Sequence, residues 1–71
     1  MKTVDLNLFT RWPFPQHGGG HDVFSIGRAT DPAVIVMHEL PGMTPACVDF
    51  ALRLSEQNFR VHLPLLFGEP L

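Results

Sequence analysis

The 71-residue sequence has a single cysteine, Cys47, so no disulfide can form within the chain. A lone thiol favours a reducing compartment, and we expect a cytoplasmic location. Only five Lys and Arg residues are present, against seven Asp and Glu residues, and the basic residues are scattered rather than clustered. This distribution argues against a nucleic-acid partner. No apolar run approaches the ~20 residues that a membrane helix needs, so we expect no membrane partner either.

Four segments of the chain have the patterns of β-strands. Residues 8–16 are aromatic but carry two prolines, which predicts an edge strand or an extended arm. The stretch HDVFSIG at 21–27 alternates in polarity and predicts a short strand. The run AVIVM at 33–37 is apolar without alternation, which is typical of a strand buried on both faces at the centre of a parallel sheet. The segment RVHLP at 60–64 predicts a further strand.

One segment has the pattern of a helix with clear ends. Thr44 is suited to the N-cap and Pro45 to the first helical position. Asn58 can adopt the left-handed conformation that ends a helix, and Asp49 and Arg53 are spaced to pair at i,i+4. The residues predicted to form one broad apolar side are Cys47, Val48, Phe50, Ala51, Leu52 and Leu54.

The order strand, loop, helix, strand predicts a βαβ unit and an α/β fold. Strands 33–37 and 60–64 should be parallel, with a right-handed crossover. A single helix covers one face of a sheet, however, and each large apolar side chain left in water forfeits roughly 1.5–3 kcal/mol. We therefore expect residues 1–71 to be the N-terminal portion of a larger α/β domain, or to self-associate through open sheet edges or bind a partner chain.

The stretch HGGGH at 17–21 allows three interpretations. Its place between two short strands favours a hairpin turn, where glycine tolerates positive φ. Two histidines four residues apart also suggest weak metal binding, but no third ligand lies nearby and three glycines give no rigid face. A His-Gly-Gly-Gly segment is also the form of a lipase oxyanion loop, although that loop follows an apolar strand. We favour the turn and expect no metal.

The dipeptide His38-Glu39 resembles the start of a zinc-protease motif, but position 42 is glycine where the second histidine is required. Glu39 follows the apolar strand 33–37, at the end of the sheet where open α/β folds build their sites. From position alone, a catalytic role and a structural role in capping backbone N–H groups both remain open for Glu39.

Other reactive side chains have simpler interpretations. Cys47 lies in the first helical turn, where the helix dipole can lower a thiol pKa, but it shares the apolar side of the helix. We therefore favour a packed small hydrophobe for Cys47. His62 lies within a strand and is interpreted as structural, and Trp12 is interpreted as a packing residue.

The stretch PAVIVMHELPGMTPACVDFALRLSEQNFRVHLPLLFGEP resembles the dienelactone hydrolase family, a branch of the α/β hydrolases. The apolar strand running into HELPGMTP, the helix ending in QNF and the strand running into LPLLFG carry this resemblance. It implies hydrolysis of a lactone or small carboxylic ester without a metal or organic cofactor. It also implies that Glu39 contacts the resting nucleophile and that the backbone N–H of Leu40 lines the oxyanion hole.

The family's nucleophile, Asp and His match no position among these 71 residues. Neither serine, Ser25 or Ser55, stands in a G-x-S-x-G elbow, and Cys47 lies on the wrong element. We therefore expect the chain to be the N-terminal part of such a hydrolase, with the HELPG oxyanion motif but no catalytic triad, and to be inactive alone. The alternative is a non-catalytic module that completes its sheet with a partner chain.

Overall fold

The structure is a computed structural model that describes residues 5–16, 19–38 and 42–68. It is a mixed α/β arrangement in which four strands form one sheet in the order β1-β2-β4-β3 and one helix packs on the sheet. The elements are a short 3-10 helix at Leu6–Leu8, β1 at Thr10–Gln16, β2 at Gly19–Ile26, β3 at Ala33–Ile35, α1 at Pro45–Glu56 and β4 at Arg60–Pro64. Among the described residues, no helix is long and apolar enough to cross a membrane.

The first two strands form an antiparallel hairpin. Their register runs from Thr10 opposite Ser25 to Gln16 opposite Gly19. The prediction of a hairpin at HGGGH is confirmed by this pairing, although residues 17 and 18 themselves lie outside the described residues. The second and third glycines, Gly19 and Gly20, and His21 belong to β2. Among the described strands β1 pairs only with β2, so of the two alternatives, an edge strand or an extended arm, the Pro-containing segment forms the edge strand.

Strands β3 and β4 are parallel neighbours, as the βαβ pattern predicted. Ala33 lies opposite Arg60 and Ile35 opposite His62. Strand β4 also pairs antiparallel with β2, so β4 and β2 are the central strands.

The prediction that AVIVM is a central strand buried on both faces is wrong for this sheet. Strand β3 covers only three of these five residues and lies at the outer edge. The side chain of Ile35 is 68% exposed and that of Met37 is 70% exposed, whereas Val36 is buried. The reason is geometric: alternate side chains point to opposite faces, and α1 covers only one of the two.

Helix α1 begins and ends as predicted. The hydroxyl of Thr44 accepts a hydrogen bond from the Cys47 N–H at 3.3 Å, and Pro45 is the first helical residue. Asn58 has φ of 67°, the left-handed conformation that stops the helix. Arg53 donates to Asp49 at 2.8 Å, as the i,i+4 spacing predicted.

The buried side of α1 is narrower than its sequence predicted. Val48 and Ala51 are fully buried, but Phe50 is 54% exposed. A 12-residue helix against a narrow sheet buries one stripe, and Phe50 lies beyond that stripe. The buried core consists of Phe9, Phe24, Val36, Met43, Val48, Ala51, Val61 and Leu63.

A tight junction joins β2 to the start of β4. Gly27 has φ of 108°, and a Cβ atom there would collide with the carbonyl oxygen of Phe59. Arg60 then donates from Nη1 to the carbonyl oxygen of Gly27 at 2.6 Å. Glycine at this position therefore lets the two backbones approach closely enough to pair.

Candidate functional site

The carboxyl ends of β3 and β4 lie at one edge of the sheet because the two strands are parallel. The chain leaves β3 through residues 36–38 and leaves β4 through residues 65–68. Open α/β sheets place their ligand sites at this edge. The sequence places Glu39 and Leu40 in the loop that starts here, and we call residues 36–44 the strand-end loop.

His38 joins the strand-end loop to the segment after β4. Its Nε2 accepts a hydrogen bond from the backbone N–H of Leu66 at 2.9 Å. Its ring lies 4.7 Å from the ring of Phe67, edge to face. The side chain of His38 is buried at 5% exposure, whereas Phe67 stays partly exposed to solvent.

Gly42 also lies near the segment that follows β4. Its φ is 146°, a left-handed region that glycine tolerates best. A Cβ atom at this position would lie 3.6 Å from the carbonyl oxygen of Phe67. His38 and Gly42 therefore both lie against residues 66–67, and they bracket the three residues between them.

The two predicted site residues, Glu39 and Leu40, lie outside the described residues, so their roles stay predictions. Cys47 is half-buried and packs against the core from the first turn of α1, a packing position of the kind predicted. No group of three metal-ligating side chains occurs within residues 5–16, 19–38 and 42–68.

A concave groove lies on the face of the sheet opposite α1. Its volume is about 380 Å³, within the ~300–1,000 Å³ typical of small-molecule sites. No described element covers this face, which explains the exposure of Ile35. The groove is lined by Trp12, Phe14, His21, Val23, Ile35, His62, Pro64 and Leu66.

A chain of hydrogen bonds crosses three strands at this face. The indole N–H of Trp12 donates to the Ser25 hydroxyl oxygen at 2.7 Å. The same oxygen lies 2.7 Å from Nδ1 of His62. Ser25 is 1% exposed, so both bonds converge on a buried hydroxyl.

Sequence reasoning missed this Trp12–Ser25–His62 chain. It interpreted His62 as structural and Trp12 as packing, and it treated Ser25 only as a serine outside an elbow. Ser25 lies directly opposite His62 in the register, and Trp12 lies opposite the neighbouring Val23. That register depends on β4 pairing with β2, and no local sequence signal encodes the pairing of strands 34 residues apart.

The electrostatic environment favours neutral His62. Burial lowers the pKa of His62 below 6.5, and the positive charge of Arg60 lowers it further. The hydrogen bonds fit a neutral ring, because the Ser25 hydroxyl accepts from Trp12 and can donate its own proton to an unprotonated Nδ1.

Ser25 and His62 form a close hydroxyl–imidazole pair, but the geometry does not make Ser25 a nucleophile. A nucleophile must reach its substrate, and Ser25 is buried with its oxygen held by Trp12. No third group among the described residues is hydrogen-bonded to His62 to orient it. The arrangement therefore fits a structural bond better than a catalytic dyad.

Comparison of the chain with family models, with curated proteins and with solved structures finds no match. Its function therefore has to be inferred from the chemistry and placement of its own residues.

Proposed function

We propose that these 71 residues are the N-terminal part of a dienelactone-hydrolase-like enzyme that hydrolyses a lactone or small carboxylic ester. In this proposal the HELPG segment supplies one donor of the oxyanion hole. The observation that carries the proposal is the place of this segment. It follows the third strand at the carboxyl end of a parallel pair and leads into the first helix. In α/β hydrolases, one oxyanion N–H comes from the loop between the third strand and the first helix.

The chemistry at this loop would be charge stabilisation. Attack on an ester carbonyl places negative charge on its oxygen, and a backbone N–H aimed at that oxygen stabilises the tetrahedral intermediate. The resemblance assigns this donor to Leu40 and contact with the resting nucleophile to Glu39. One such donor contributes about 2.7–4 kcal/mol to the transition state. The nucleophile, its base and the acid that orients the base would come from residues outside these 71.

The start of α1 adds a second favourable feature. The strand-end loop leads directly to the N-cap Thr44, and the N-terminus of a helix carries partial positive charge. No basic side chain stands between His38 and Thr44 in the sequence. The partial positive charge at the start of α1 would favour an oxyanion held by this loop, and Glu39 is the one acidic side chain between His38 and Thr44 in the sequence.

Substitution of Glu39 in the intact protein tests the proposal. Glu39→Ala should lower turnover of an aryl ester or small lactone at least tenfold, and Glu39→Gln should show how much of the loss follows the charge. The melting temperature should fall by no more than about 2 °C, which is no more than about 1 kcal/mol on the scale of roughly 2–4 °C per kcal/mol for domains of 150–250 residues. Unchanged turnover with a lowered melting temperature would make Glu39 a structural cap and remove it from the proposed site.

A second candidate function is a non-catalytic module that completes its sheet with a partner chain. The observation that favours it is the uncovered face of the sheet, where Ile35 and Met37 are largely exposed beside the outer edge of β3. Backbone groups on that edge can pair with another strand. This candidate predicts association without ester turnover in the intact protein, whereas the hydrolase proposal requires turnover.

A further inference from the structure

His38 is a buried imidazole whose two nitrogens have different environments. The first nitrogen, Nε2, is the acceptor of the Leu66 N–H. An imidazole nitrogen accepts only when it carries no proton. The ring is therefore neutral, and its single proton must lie on Nδ1.

The second nitrogen, Nδ1, is closed to solvent and has no hydrogen-bond partner among the described residues. As the protonated nitrogen, it is a donor. A buried donor without an acceptor is costly, so an oxygen acceptor is expected for it.

We propose that His38 is the positioning residue of the strand-end loop. Locked as the Nδ1–H tautomer, it uses Nε2 to bind the loop to the backbone N–H of Leu66. It thereby anchors the start of the segment that carries the predicted oxyanion donor, and Gly42 at the end of that segment lies near the same residues. This role in catalysis rests on the proposed hydrolase function, but the tautomer and the Leu66 bond do not.

Two substitutions separate the functions of the two nitrogens. In His38→Gln, the side-chain carbonyl can reach the position of Nε2 and accept from Leu66, but the Nδ1 donor is lost. In His38→Asn, the amide can replace the Nδ1 donor, but the side chain is too short to reach Leu66. The ring contact with Phe67 is lost in both variants, so the two form a matched pair.

The first readout is structural and needs no substrate. Two-bond nitrogen–proton NMR spectra of the histidine-labelled intact protein should show His38 as the Nδ1–H tautomer. Hydrogen exchange of the Leu66 amide should speed up about tenfold in His38→Asn and stay within about threefold of wild type in His38→Gln. A Nε2–H tautomer, or equal exchange in the two variants, would overturn the positioning role.

The second readout is the split between kcat and KM on an aryl ester. A misplaced oxyanion loop should lower kcat in His38→Asn by at least tenfold with KM changed less than threefold, and His38→Gln should recover most of kcat. Loss of kcat to the same extent in both variants would also contradict the proposal. If the intact wild-type protein shows no turnover, the hydrolase proposal fails while the tautomer and exchange results still decide the role of His38.

Discussion

Replacement of Ser25 by alanine should destabilise the fold more than any other single-atom deletion on the open face of the sheet. The Ser25 hydroxyl is the shared partner of the Trp12 indole N–H and of His62 Nδ1, both at 2.7 Å. Ser25→Ala removes that oxygen and leaves both groups without a hydrogen-bond partner among residues 5–16, 19–38 and 42–68.

The expected magnitude follows from the burial of the two groups that are left. An unsatisfied polar group costs about 1–3 kcal/mol when it is buried. Trp12 and His62 are half-buried, so the lower end applies to each, and the total is about 2 kcal/mol. This is a large part of the roughly 3.5–10 kcal/mol expected for a chain of this length.

Urea unfolding followed by Trp12 fluorescence measures this change directly, since Trp12 is the only tryptophan among the 71 residues. With a slope near 1 kcal/mol per molar urea, the midpoint should fall by about 2 M. Chain concentration must be held constant, because association would add to the apparent stability.

Ser55→Ala is the matched control for this prediction. Its hydroxyl donates to the Leu52 carbonyl oxygen within α1, and alanine favours a helix, so the free energy of unfolding should change by less than about 0.5 kcal/mol. If Ser25→Ala is no more destabilising than Ser55→Ala, the Trp12–Ser25–His62 chain does not stabilise the sheet.

Two further predictions concern the same face of the sheet. Folding lowers the pKa of His62, so the unfolded chain binds a proton at this side chain more readily than the folded protein does. The His62 contribution to stability should therefore be constant above pH 6.5 and decline as the pH falls below it. Urea midpoints measured across this pH range should lack this decline in His62→Asn, which keeps an acceptor for Ser25. The side chain of Ile35 is 68% exposed, so covering it with a second chain would contribute about 1–2 kcal/mol. Ile35→Lys should therefore weaken self-association at least tenfold, as measured by sedimentation velocity. Phe50→Lys, on the outer side of α1, is the control and should not weaken it.

Local chemistry made the helix and the strand pairing predictable from the sequence. Thr44, Pro45 and Asn58 mark the two ends of α1 by side-chain and backbone properties that act within a few residues. The parallel pairing of β3 with β4 followed from a strand, a helix and a strand in sequence order.

The failures of prediction arose where distant elements decide the environment. The burial of Ile35 depends on whether another element covers the second face of β3, and the apolar sequence of the strand does not show this. The exposure of Phe50 depends in the same way on the width of the sheet beneath α1. The Trp12–Ser25–His62 chain required the placement of β4 beside β2.

The candidate site was predictable only in part. The position of the strand-end loop followed from the apolar strand that precedes it and from the helix start at Thr44. The burial of His38 and its bond to Leu66 could not be predicted, because the bond joins loops 28 residues apart.

The central claim is that the backbone N–H of Leu40 stabilises an oxyanion, and removal of that single N–H tests it most directly. Cys47 provides a ligation point for joining a synthetic segment of residues 1–46 to the rest of the intact protein. In that segment the amide at Leu40 is replaced by an ester, which removes the N–H and keeps the side chain, and an all-amide segment ligated in the same way is the control. The account predicts a 10²- to 10³-fold loss of kcat on an aryl ester, or about 2.7–4 kcal/mol, with little change in KM. A kcat within about twofold of the control would contradict it.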